Sequence, residues 1–208
     1  MDDRPPHARA EQHGHRDHRD GDPQFADRPR TTIVGHPVEE VRSFYGFSEW
    51  PGQTVSLDLG GRVLEVTGTP GHHGSSISIF DAWTGFLLTG DTVYPGRLYV
   101  QDMPAFIDSL DRLLWLTQSR RVRHVMGCHI EMSSTPGRDY PLGSTYQPQE
   151  PPLQMSIDQL RAVREAAAAV ADSPGAHVFD DFAIFNGPCR AAIAGQVLRR
   201  VRMSLCRS

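Results

Sequence analysis

Hydrophobic and polar positions divide the 208 residues into a polar start, a patterned middle and a basic end. Residues 1–30 are rich in Arg, Asp, His and Pro and show no hydrophobic period. They read as loop unless something such as a metal organises them. From Thr31 the pattern changes. Thr32-Ile33-Val34 reads as a short strand, and Pro37 to Tyr45 as a short helix with Pro37 at its first position and Gly46 stopping it. Val55 to Leu59 alternates with a period of two, Val63 to Val66 follows, and Gly60-Gly61 between them predicts a β-hairpin. Ile77–Phe80 and Phe86–Leu88 form a second pair. Asp102 caps a predicted helix over 103–118, with Phe106, Leu110, Leu113, Leu114 and Thr117 along one face. Val122 to Met126 reads as a strand, and the Pro-rich run from Pro136 to Pro152 as irregular. Ser156 with Gln159 makes a capping box for a helix to about Val170, and Val178 to Phe185 predicts one last strand. Hairpins first, then strands mixed with helices and no G-x-G-x-x-G, favour a layered α+β domain over a doubly wound nucleotide binder.

Length and composition narrow the picture. A chain of this size fits one domain. Lys+Arg of 21 against Asp+Glu of 25 gives a formal charge of -4, so no global field draws in nucleic acid. Cys128, Cys189 and Cys206 are odd in number and lack C-x-x-C spacing, which supports neither a disulfide framework nor a thiolate zinc site. No apolar run follows a basic start, and no stretch approaches the ~20 apolar residues of a membrane span, so a soluble, cytoplasmic protein is expected. The end differs. Residues 187–208 carry Arg190, Arg199, Arg200, Arg202 and Arg207 with no acid, and Ile193, Val197, Val201 and Leu205 recur every four residues, as in an amphipathic helix.

Four short segments carry chemistry. His13-Gly14-His15-Arg16-Asp17-His18 puts three imidazoles and a carboxylate within six residues, a set that suits zinc and also iron or manganese. Thr69-Pro70-Gly71-His72-His73 is a tight turn after a strand, able to aim an imidazole out of a sheet end. Leu87-Leu88-Thr89-Gly90-Asp91 is an apolar strand ending in a carboxylate whose two oxygens can bridge two cations. Val125-Met126-Gly127-Cys128-His129 again delivers an imidazole at a strand end. Taken singly, each has an ordinary explanation: a biased tail, a solvated turn, a capping aspartate, a satisfied edge histidine.

Together, and in that order, the four segments resemble the metallo-β-lactamase superfamily, over roughly residues 11 to 135. The resemblance implies a four-layered αββα sandwich within the α+β class, occupying residues 13–186 between a polar segment 1–12 and a basic tail 187–208. It implies two divalent cations, zinc foremost with iron or manganese as alternatives. His13, His15 and His72 would hold the first; Asp17, His18 and His129 the second; Asp91 would bridge both and share them with a hydroxide that attacks an ester, thioester, lactone or phosphoester. The T-P-G-H spacing points to His72 rather than His73. Asp17 would also orient the hydroxide, as the catalytic residue, and Tyr94, Arg97 and Tyr99 follow Asp91 closely enough to reach substrate. In the better-known zinc β-lactamases the position of Asp91 is typically cysteine or serine, so an aspartate looks more like the thioesterase, lactonase and phosphodiesterase branches. If the strand runs on to His129, Cys128 faces the other way and packs. A small-molecule substrate is implied, with no nucleic acid, and a homodimer is the default assembly. Family members normally place several strands before the H-x-H-x-D-H loop, whereas only Met1 to Gln12 precede it here. That leads to the expectation of an N-terminally truncated fold and, as the alternative to a hydrolase, a non-catalytic metal-binding remnant.

Overall fold

The stretch from Thr54 to Gly127 supplies five of the six strands of the sheet that carries the site. A computed structural model describes residues 7–9, 11–188 and 193–198. The elements in chain order are β1 (His7–Arg9), α1 (Arg16–Arg19), a 3-10 turn (Asp22–Gln24), β2 (Thr31–Ile33), α2 (Val38–Tyr45), β3 (Thr54–Asp58), β4 (Val63–Gly68), β5 (Ile77–Asp81), β6 (Phe86–Gly90), β7 (Arg97–Val100), α3 (Met103–Ser119), β8 (His124–Gly127), β9 (Gln154–Met155), α4 (Ile157–Ala169), β10 (Gly175–Val178) and β11 (Ala183–Asn186). Six strands pair in the order β3-β4-β5-β6-β8-β9, three as β10-β11-β7, and β1 runs parallel to β2.

Both expected hairpins form. In the first, Asp58 pairs with Val63 and its Oδ1 accepts from the Gly60 and Gly61 amides at 2.9 and 2.8 Å, closing the turn with a side chain. In the second, Asp81 pairs with Phe86. Alternation along these strands then sorts the sheet's two faces. Phe80, Leu87, Val125 and Met155 lie in register across four strands and join α3 and α4 in the main core with Phe106, Leu110, Leu113, Leu160 and Val163. Val55, Val66 and Ile77 point the opposite way, into a smaller cluster with Val41 of α2 and Phe47. Asp102 caps α3 by accepting from the Ala105 amide, and Ser156 with Gln159 forms both limbs of the capping box on α4.

The departures have physical causes. Residues 178–185 are not one strand: Asp180-Asp181 turns the chain, and β10 folds back antiparallel on β11. β7 has no local hairpin partner and instead pairs in parallel with β11, more than eighty residues later. Pro37 stands one place before α2, as its N-cap residue. The polar start is not all loop, since β1, α1 and the 3-10 turn lie within it. Cys128 lies past the end of β8 and is exposed, its Sγ donating to Gln12 Oε1 at 2.9 Å, so it does not pack in the core. Residues 193–198 are helical, with Ile193, Val197 and Leu198 exposed, while Val201 and Leu205 lie outside the described residues. Among the described residues no helix is long and apolar enough to cross a membrane.

Candidate metal centre

Strand direction brings the motifs together. β4 and β6 are each antiparallel to β5, and β8 is parallel to β6, so β4, β6 and β8 all end at one edge of the sheet. His72, Asp91 and His129 each follow one of those ends by a few residues. The turn before His72 is bolted down: the Gly71 carbonyl accepts from the Gln101 and Asp102 amides at 2.8 and 3.0 Å, and Ser109 Oγ donates to the Pro70 carbonyl at 2.7 Å. The H-x-H-x-D-H segment reaches the same edge because the Gln12 carbonyl accepts from the Ile77 amide at 3.0 Å. The single turn α1 then presents Asp17 and His18.

Seven side chains converge there. His13, His15, His72 and Asp91 form one group and Asp17, His18, Asp91 and His129 another; within each, the ligand-type atoms lie within 4.8 Å of one another. Asp91 divides its oxygens. Oδ2 stands 3.4 Å from His13 Nε2 and 3.5 Å from His72 Nε2, while Oδ1 stands 3.4 Å from His18 Nε2 and 3.2 Å from His129 Nε2. His13, His72 and Asp91 are buried; Asp17 is 60 % exposed and stands at the mouth.

The donor set fits cations. His15 Nδ1 lies 3.0 Å from His13 Nε2 and 2.9 Å from His72 Nε2, so three imidazole nitrogens point at one small volume. Hydrogen bonding cannot satisfy all of them. His72 Nδ1 lies 2.8 Å from the Tyr99 carbonyl; donating there fixes the tautomer and turns the Nε2 lone pair inward. In the other group His18 Nε2 and Asp91 Oδ1 are buried without a hydrogen-bond partner. A tetrahedral zinc about 2.1 Å from each ligand sets ligand atoms roughly 3.4 Å apart, close to the spacings found.

Titration follows the same division. Burial pulls His13 down to about 3 and lowers His72, keeping both neutral and able to ligate. Burial pushes the Asp91 carboxyl up, but the imidazoles of His129, His18 and His13 outweigh it and hold Asp91 well below the carboxylate range. The Asp91 contact in turn raises His18 and His129 against their burial.

The profile of the Metallo-beta-lactamase superfamily matches residues 13–170, three-quarters of the chain. This chain belongs to that superfamily. A hydroxyacylglutathione hydrolase from Synechococcus is 30 % identical over 171 residues, covering 77 % of this chain and 62 % of that protein. The chain thus spans about three-fifths of the length of that relative. Among solved structures, a metallo-beta-lactamase from Pontibacter korlensis superposes with a TM-score of 0.52 at 13 % identity, over 78 % of this chain and 69 % of that one. ETHE1 from Myxococcus xanthus gives 0.50 at 21 % identity, over 80 % and 68 %. These likenesses show the metallo-β-lactamase fold.

Above the superfamily's motif residues lies a hollow of about 290 Å³, lined by His15, Asp17, His72, Asp91, Tyr94, Tyr99, Gln101, His129, Glu131 and Leu142. Of the three residues expected to reach substrate, Tyr94 and Tyr99 face this hollow. Tyr94 has no free hydroxyl proton, because its OH donates to the Arg97 carbonyl. Arg97 is not part of the wall: it is 2 % exposed and ion-paired to Glu131 and Asp139. His73 stands outside both groups, with Nδ1 2.9 Å from Ser75 Oγ. Sequence reasoning passed over Gln101 and Glu131. Glu131 had a signal, lying two residues after His129 in a segment that leaves the sheet.

Proposed function

We propose that this chain is a metal-dependent hydrolase of a small acyl ester or thioester. One observation carries the reading: the two oxygens of Asp91 face two separate sets of imidazoles. On this reading His13, His15, His72 and Asp91 hold one divalent cation, and Asp17, His18, His129 and Asp91 a second. Zinc is favoured because five of the eight ligand positions are imidazole. Bound there, such a pair supplies acidification of a water and Lewis-acid polarisation of the scissile group.

The chain's own residues do the rest. Asp17, with Oδ2 3.5 Å from His129 Nε2 and its carboxylate open to the hollow, orients the attacking water and accepts its proton. The Tyr99 hydroxyl accepts from Arg97 Nε at 3.3 Å, which leaves its own proton to donate to substrate oxygen. Burial raises the Tyr99 pKa and keeps that proton in place at neutral pH. Leu142 and the Tyr94 ring supply an apolar wall for an acyl chain. The thioester preference is supported by the hydroxyacylglutathione hydrolases among the relatives.

The test is turnover of a panel of thioesters, esters, lactones and phosphoesters by metal-replete protein, by metal-free protein and by Asp91→Ala. Hydrolysis of an acyl substrate by the first alone is expected. A folded, metal-loaded protein that turns over nothing on the panel defeats the hydrolase reading and leaves a metal-binding protein without catalysis.

A further inference from the structure

We propose that Arg97 is a positioning residue that fixes His129, and so sets the affinity of the second metal group without touching the first. The proposal rests on the two-cation reading above. β8 ends at Gly127, so no strand ladder carries His129. Among the four imidazoles facing Asp91 it is also the most exposed, at 36 %. Its place depends on what holds the loop beyond it.

That loop is held from β7. Glu131, two residues after His129, grips Arg97 twice: Oε1 accepts from the guanidinium at 2.5 Å and Oε2 from the Arg97 backbone amide at 2.8 Å. The same guanidinium donates to Asp139 Oδ2 at 2.9 Å and to the Tyr140 carbonyl at 2.7 Å, while Nε reaches the Tyr99 hydroxyl. Asp139 Oδ2 also accepts from Gln196. Backbone bonds reinforce the clamp, since the Glu131 and Met132 amides donate to the Pro95 carbonyl at 2.9 and 3.0 Å. Next to it, the Tyr94 ring lies edge-on against the His129 imidazole, centroids 5.4 Å apart, with its hydroxyl tied to the Arg97 carbonyl.

A buried guanidinium with every edge occupied is a rigid bracket. Its planar fork meets a carboxylate, a second carboxylate and a carbonyl at once, which a lysine ammonium on a flexible stem cannot do. His13 and His15 hang on another segment, and His72 bonds the Tyr99 backbone carbonyl of β7 rather than the guanidinium. Loosening the bracket therefore frees His129 selectively. Partners one step removed from a ligand commonly change metal affinity by about 10–100-fold.

The experiment is zinc titration of metal-free protein against a chromophoric chelator, for the wild type, Arg97→Met, Arg97→Lys and Glu131→Gln. Circular dichroism establishes that each variant is folded, and Glu131→Gln keeps the shape of the bracket while removing its charge. The wild type should take up two equivalents. In Arg97→Met and Glu131→Gln the first equivalent should bind within about two-fold of wild type and the second on the order of ten-fold or more weaker, with Arg97→Lys between. Wild-type-like uptake of the second equivalent in the folded variants, or equal weakening of both, overturns the bracket alone. A wild type that takes up only one equivalent overturns the two-cation reading, and the bracket with it.

Discussion

Replacing Gly71 by alanine tests whether the turn that aims His72 is as constrained as its packing implies. Gly71 has φ +136°, a conformation that side-chain-bearing residues rarely adopt. A Cβ built there would lie 2.5 Å from Phe106 Cα, 2.6 Å from its Cβ and 2.7 Å from its backbone nitrogen. Those atoms belong to the first turns of α3, and Phe106 is fully buried, so the clash cannot be relieved by swinging a surface side chain. Backbone strain of about 1–3 kcal/mol and overpacking of about 1–3 kcal/mol together give roughly 4 kcal/mol. For a chain of this length that lowers the melting temperature by on the order of 10 °C. The Gly71 carbonyl also accepts from the Gln101 and Asp102 amides, so relief of the clash moves His72 away from Asp91. Gly74→Ala is the control: it lies in the same loop, has an ordinary φ, and its Cβ would meet only Val38 at 3.7 Å. Thermal unfolding followed by circular dichroism, with and without zinc, should show a large loss and a smaller zinc-induced rise for Gly71→Ala, and neither for Gly74→Ala. A Gly71→Ala protein that melts within two or so degrees of wild type would refute the reasoning.

Two further outcomes follow from the packing and the charges. Leu110→Ala, at the centre of the face that α3 turns to the sheet, should cost about 2–5 kcal/mol, whereas Trp115→Ala on its exposed side should cost under about 0.5 kcal/mol; chemical denaturation measures both. The metal-free protein should be most stable near the ordinary histidine value of about 6.5. Below it, His13 and His72, whose folded values are lowered, lose their contribution as pH falls. Above it, His18 and His129, whose folded values are raised, lose theirs as pH rises. Zinc-loaded protein should instead gain stability from about pH 6 to about pH 8, since its ligands must be deprotonated. Parallel pH profiles with and without zinc would contradict that assignment of charges.

What the sequence made legible was local. The hairpin at Gly60-Gly61, the caps at Asp102 and Ser156, and the clustering of His and Asp in four ordered segments each lie within a few residues, where spacing and turn propensity dominate. β7 was not legible, because Arg97-Leu98-Tyr99-Val100 gains its strand geometry from β11, far along the chain. Arg97 was misread for the same reason. An arginine after an apolar strand looks like a group free to meet substrate, and its carboxylate partners stand 34 and 42 residues away. The break between β10 and β11 was hidden by the apolar character of Val178 to Phe185, although Asp180-Asp181 marks it. The order of the motifs implied that His72 rather than His73 turns inward; only the fold shows how, through β4, β6 and β8 ending at one edge.

Asp91 is proposed to sit between two cations, and an anomalous-difference map at the zinc edge, from crystals of zinc-replete protein, tests that directly. Two peaks about 3.5–4 Å apart are predicted, one among His13, His15 and His72, the other among Asp17, His18 and His129, with one Asp91 oxygen turned towards each. A single peak, or two peaks that leave Asp91 outside both, would contradict it.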